Sequence, residues 1–380
     1  MDTLTPSPNR AGSRLLGLDQ ARAVAIIAMM VFHFAPGVLI QLPRLEPLRN
    51  PVLWFGRMAT PAFVVVFGVT AGFVFLPRFA LRKPGDLPGR LRRRAFWILV
   101  CAVAVTVPVW IRLAVGDVAD VWQWVFGLYS VLLFYALALA LLPLWLRWLS
   151  RHTEVRAVIS GAALWALGTA AFYLWPRGHL SAPEFVRMIL LSGDFAYLQM
   201  MGTAILAIPI GLHMRKAYDR GTGQQFLGRL FLWGLFLSLA GMGWGLAVGE
   251  YDVERIVSGE LKVPSRPWYY LHFGALALVA ISGLELLTRG VRLLWRPGYV
   301  LALFGQTALL IFTAHMFVLP GLELTDQIVP LHGLARIAAA FLPFAAFCAI
   351  VMYMRHRRAT QKPAPKPFVE PPSELVLAGH

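Results

Sequence analysis

"LDQARAVAIIAMMVFHFAPG", residues 18–37, is an apolar run that opens on an acid and a base, Asp19 and Arg22, and holds a histidine, His33, inside it. It is long enough to cross a bilayer as one helix, which takes roughly 20 residues. A titratable ring within such a helix is costly, so His33 requires an explanation. Arg22 and His33 are eleven residues apart. At about 100° per residue that is close to three full turns, so both side chains share one helix face, roughly 16 Å apart along the axis. Asp19, three residues before Arg22, can pair with it and fix its direction. Pro36 cannot bond the carbonyl of Phe32, so the helix is expected to kink or open beside His33.

The rest of the chain repeats the apolar theme. Of its 380 residues 58% are hydrophobic and 14% charged, and the mean hydropathy is +0.65. That profile belongs to an all-α polytopic membrane protein and not to a soluble enzyme. About ten spans are legible, near 21–40, 59–77, 95–115, 124–146, 156–175, 195–213, 226–248, 268–288, 299–320 and 334–354. They define one transmembrane domain over 1–358. The proline-rich remainder, 359–380, is expected to be a disordered tail. Cys101 and Cys348 fall inside spans, which argues against a disulfide framework, and no metal-ligand spacing occurs, so no metal is expected.

The formal charge of +16 raises the question of a nucleic-acid partner. Its distribution answers it. With both termini on one face, the segments of that face carry 25 of the 35 Lys and Arg and 8 of the 19 Asp and Glu. Net charge is then +17 on that face and −1 on the other. Positive residues favour the cytoplasm, so both termini are expected there, in the cytoplasmic (inner) membrane, with no nucleic acid involved.

A lone intramembrane histidine can simply glue two helices together. It can also serve as a general base, because imidazole takes a proton near neutral pH. Spacing alone leaves both open. The residues themselves resemble a known family. "LDQARAVAIIAMMVFHF" is similar to the opening span of acyltransferase family 3 membrane proteins, where Asp-x-x-Arg is followed by a histidine thought essential for transfer. "TPAFVVVFGVTAGFVF" (60–75) and "LFGQTALLIFTAHMFVL" (303–319) resemble later spans of the wider transmembrane acyltransferases, which include periplasmic-glucan succinyltransferases. The second span departs from the family's usual "FFxLSGF". "RLRRR" (90–94) sits where that family carries paired arginines.

The resemblance implies an O-acyltransferase that moves acetyl or succinyl from cytoplasmic acyl-CoA to a hydroxyl of a carbohydrate or glycolipid acceptor, within the lipid bilayer. Under it, His33 is the base, with Asp19 and His315 as its catalytic companions. Arg22, Arg90, Arg93 and Arg94 hold the CoA phosphates, a task that suits the planar guanidinium fork. Direct transfer and an acyl-histidine intermediate both fit. His272 joins His33 and His315 in the half of the bundle away from the termini, and a helix-stitching role suits it better than chemistry. A carboxylate to orient His33 is expected from Asp194, Glu250 or Glu323. The rival class is a secondary transporter with the histidines as a proton relay, which inverted repeats would support; none is evident. A membrane scaffold is the third.

Overall fold

The computed structural model describes residues 15–80, 86–115, 121–126, 128, 130–175, 181–191, 195–262, 265–318, 320–322, 329 and 331–361. Nearly all of the expected tail, and both Asp194 and Glu323, lie outside the described residues. Among the described residues there are helices and no strand. Nine helices among the described residues are long and apolar enough to cross a membrane, and a bent pair, Arg292–Gln306 with Ala308–Leu322, makes ten when counted as one crossing. The chain is an all-α polytopic membrane protein.

Helix α1 (Leu16–Gln41) is followed by a 3₁₀ segment (Pro43–Leu48), α2 (Arg49–Arg57), α3 (Ala59–Thr70), a π segment (Ala71–Phe75) and α4 (Leu76–Ala80). Then come α5 (Leu87–Val115), α6 (Val121–Phe126), α7 (Val131–Leu149), α8 (Thr153–Leu174), α9 (Ala182–Leu190) and α10 (Tyr197–Asp219). The remainder is α11 (Gly223–Ala247), α12 (Val253–Ser258), α13 (Pro267–Gly290), α14 (Trp295–Gln306), α15 (Ala308–His315) and a last helix, Gly333–Thr360. Helix α1 runs on through Pro36 to Gln41.

Three spans differ most from the sequence expectation; of these the fourth, expected over 124–146, begins at Val131 behind the N-cap Ser130, while 124–126 belong to α6. The second does not begin at 59: the chain is already helical from Pro43 and continues to Phe79. The reason is that α2 is amphipathic, burying Leu53, Gly56 and Arg57 while Arg49 and Asn50 stay exposed. The span near 299–320 is broken, its two arms bent by 69°. The break falls at Thr307, whose hydroxyl donates to the carbonyls of Leu303 (3.2 Å) and Phe304 (2.9 Å). Such back-bonding favours a bend, and Gly305, just before it, sits tight against the Asp19 carbonyl of α1. The turn directs α15, with His315 at its end, towards α1.

Burial separates a central group from a periphery. In the 43–79 crossing 83% of the most apolar window is buried inside the protein, against 11% in the last helix. The centre is α1, α3, α10 and α13; α5, α8, α11 and the last helix turn apolar side chains outward, as lipid-facing helices do. Close approach of α3 and the π segment to α10 depends on glycine: a Cβ on Gly72 would fall on the carbonyl oxygen of Ile208, and one on Gly211 on that of Val69. Small residues at such crossings let backbones touch where no hydrophobic force drives helices together.

The start of α1 is fixed from outside. Leu15 offers no capping side chain. The buried carboxylate of Glu285, on α13, instead accepts the Gly17 N–H at 2.5 Å and the Nε–H of Arg289 at 2.5 Å. An anion there suits the free N–H groups and the positive end of the helix dipole. Gln20 adds bonds from its Nε2 to the Thr288 hydroxyl (2.8 Å) and the Gly298 carbonyl (2.9 Å). Helix α1 is therefore a fixed rod against which the site is built.

Candidate active site

His33 Nδ1 lies 3.0 Å from His315 Nε2, and the two rings stack with centroids 5.1 Å apart and planes 24° from parallel. Phe34 and Phe312 set their ring edges against His315, which is 1% exposed. His33 is only half-buried. The other ring nitrogen of His315, Nδ1, bonds to the carbonyl of Phe312. That carbonyl belongs to the last turn of α15, where the helix leaves acceptors unpaired.

The bonding assigns the protons. A carbonyl only accepts, so Nδ1 of His315 carries the hydrogen. In the neutral ring its Nε2 then has the lone pair, and Nδ1–H of His33 must be the donor between the rings. A neutral His33 is left with its lone pair on Nε2. The pair thus presents one basic nitrogen, on the half-buried ring, held in orientation by the buried one.

At the other end of α1, Asp19 Oδ1 accepts from Arg22 Nη1 at 2.7 Å, and Arg22 Nη2 donates to the Thr70 hydroxyl at 2.8 Å. Thr70 passes its own hydrogen to the Val66 carbonyl. Asp19 is therefore placed to direct Arg22. By rise it stands about 21 Å along the helix from His33. Arg94 lies within the electrostatic reach of Arg22, Arg90, Arg355 and Arg78. These residues come from α1, α4, α5 and the last helix, so four elements bring guanidinium groups to one mouth. Arg90, Arg92, Arg93 and Arg94 are exposed.

Other expected residues lie elsewhere. His272 Nδ1 faces the Ser238 hydroxyl at 3.1 Å and its carbonyl at 2.9 Å, joining α13 to α11. Glu250 accepts from Trp268 Nε1 at 2.8 Å and pairs with Arg266 at 3.3 Å. The neighbour bonded to His33 is an imidazole. Several residues escaped the sequence reading. Arg57 stacks over the Phe32 ring at 4.1 Å, and with Lys262 it supplies the charges that act on His33. The Tyr135 hydroxyl is buried without a hydrogen-bond partner among the described residues; its ring meets those of Phe63 and Phe67, within the electrostatic reach of Arg22. Thr70, Arg78 and Arg355 complete the set. None carried a local signal: a threonine in an apolar run and arginines at span ends are ordinary in membrane helices. Among the described residues no group of three or more His, Cys, Asp or Glu could hold a metal ion.

A helical membrane protein that presents one basic nitrogen inside the bundle and a cluster of guanidinium groups at one face has the layout of a membrane-embedded enzyme. Residues 15–354 match the family model of acyltransferase family 3, described as an acyltransferase domain. The chain belongs to that family and is a membrane acyltransferase, acting on groups other than aminoacyl groups. No curated protein matches the chain, and no solved structure does.

Proposed function

We propose that the protein carries an acyl group, acetyl or succinyl, from cytoplasmic acyl-CoA to a hydroxyl of a cell-envelope or exported glycan. The observation that carries this reading is the assignment of the free lone pair to Nε2 of His33, on the same helix as Arg22 and facing away from its buried partner.

In this reading the mouth formed by Arg22, Arg78, Arg90, Arg94 and Arg355 opens to the cytoplasm of the inner membrane and takes the phosphates of CoA. Arg93 lies on the same exposed stretch and adds charge. Asp19 and Thr70 hold Arg22 in place, so its fork meets the anion without first being ordered. The acyl arm follows α1 past Tyr135 to His33. Nε2 of His33 removes the proton of the acceptor hydroxyl as its oxygen attacks the thioester carbonyl. The tetrahedral intermediate collapses, the C–S bond breaks, and the proton on Nε2 passes to the departing thiolate, giving an ester and free CoA. Through the transfer Nδ1–H of His33 stays bonded to His315, which steadies the imidazolium and prevents the ring from turning, the part an orienting acceptor plays in a triad. Family membership displaces the transporter alternative.

The test compares outer glycans by mass spectrometry in cells with and without the protein. An increment of one acetyl or succinyl group that depends on the protein and disappears in His33→Ala supports the reading. Identical glycans in the two strains contradict it.

A further inference from the structure

On the face where α1 ends, opposite the arginine mouth, a cleft of about 500 Å³ opens between two walls. Glu46, Pro47, Arg49 and Asn50 form one wall, Glu254, Val257 and Ser258 the other. Neither wall is loose. Asp252 caps α12, its Oδ1 accepting from the N–H groups of Glu254 (2.7 Å) and Arg255 (3.1 Å). Arg255 reaches across to Glu260 at 2.8 Å and holds that carboxyl below the usual carboxylate range. On the other side Arg49 lies 3.7 Å from Glu46.

Arg57 joins the cleft to the imidazole pair. Its Nε–H donates to the carbonyl of Val257, a wall residue, at 2.9 Å, and Nη2–H bonds the same oxygen. Its guanidinium covers the Phe32 ring, and that ring lies 5.9 Å from the imidazole of His33. Gly259, in the left-handed region at φ 87°, gives the guanidinium its room: a Cβ there would meet the group at under 3.0 Å. The cleft and the base are two ends of one short chain of contacts.

We infer that this cleft is the docking site of the acceptor, and that the acceptor is a carbohydrate offering several free hydroxyls. The lining carries the inference. Two carboxylates accept hydrogen bonds, Arg49 donates them, and Asn50 and Ser258 do both. Only Pro47 and Val257 are apolar, so an acyl chain or a lipid tail finds little to bury, whereas a sugar finds donors and acceptors on both walls. Direct bonds to hydroxyls favour an acceptor that has them. This inference rests on the proposed transfer reaction.

The experiment uses whole cells expressing the full chain with Ser258→Cys or Asn50→Cys, both at exposed positions. Val121→Cys, on α6 and 62% exposed, is the control on the same face. The parent, whose Cys101 and Cys348 lie within helices, is treated in parallel. A bulky, membrane-impermeant maleimide is added, and the acyl increment on outer glycans is followed by mass spectrometry. Labelling at 258 or 50 should cut acylation at least tenfold, labelling at 121 should leave it unchanged, and CoA binding by the labelled protein in detergent should persist. If 258 and 50 are fully labelled while acylation continues, the cleft is not the acceptor site and the transfer reading survives. Failure of 258 to label while 121 does overturns the placement of the cleft. Absence of any acyl increment in the parent removes the transfer reading, and this inference with it.

Discussion

The two ends of α1 are built on different principles. At the mouth, Arg22, Arg78, Arg90, Arg94 and Arg355 come from four elements, and Arg90 and Arg94 are exposed. Eleven residues further along, His33 meets one partner at 3.0 Å, and that partner is buried and tied to its own backbone. Charge acts over a Debye length of about 8 Å in physiological salt, so a cluster tolerates loose geometry. Proton transfer requires one nitrogen with its lone pair free and aimed, so the far end is bonded atom by atom. The contrast suits the proposed division, donor holding at the first end and chemistry at the second.

The largest effect is expected at the precise end. His33→Ala should remove turnover, a loss of at least about 10²-fold for a positioned base, while protein remains folded in the membrane. Retained turnover would refute the base. Next comes His315. His315→Ala takes away the acceptor of the His33 Nδ1–H and should lower kcat by about 10–100-fold, the scale seen when an orienting partner is lost. His315→Gln should restore part of it, because the amide oxygen can accept where Nε2 did. Equal rates for the two variants would mean that His315 only fills space.

At the tolerant end the losses are smaller and of another kind. Arg94→Ala or Arg90→Ala should raise KM for acyl-CoA about tenfold, the low end of a charged hydrogen bond, about 1.5 kcal/mol, because these side chains are exposed. The value of kcat should hold, since phosphates remote from the thioester are bound alike in ground and transition states. Lysine should rescue in part, restoring charge without the fork. Arg93→Ala, on the same exposed stretch, extends the comparison and should raise KM by a similar factor. Smallest of all is His272→Ala, which should lower stability by about 0.6–2 kcal/mol and leave turnover standing. A collapse of turnover there would move the chemistry away from the His33–His315 pair.

Much of this division was legible in the sequence and part of it was not. The crossings announce themselves because a bilayer demands long apolar runs, and Asp19, Arg22 and His33 fall on one face by helical spacing alone. The break at Thr307 gave no such signal: it falls inside an unbroken apolar run, and threonines elsewhere bond back to their own helices without a break. The segment 43–57 reads as a polar loop, because helix α2 is stabilised by its packing on α1. The bond between His33 and His315 joins residues 282 apart, across a bend that the sequence does not announce. Among the described residues the neighbour bonded to His33 is a histidine whose tautomer is set by the Phe312 carbonyl, while the carboxylates Asp194 and Glu323 lie outside them. Arg57 looks like any arginine at a span end until its contacts with Phe32 and Val257 are known.

The division of labour along α1 is tested most directly by a double-mutant cycle. Arg94→Ala, His315→Gln and the two together are purified in detergent, and kcat/KM for acyl-CoA is measured for each against the parent. If the mouth holds the donor and the pair does the chemistry, the two losses add, with a coupling within about 0.5 kcal/mol. A coupling above about 1 kcal/mol would mean that the two ends act on the same step, contrary to that division.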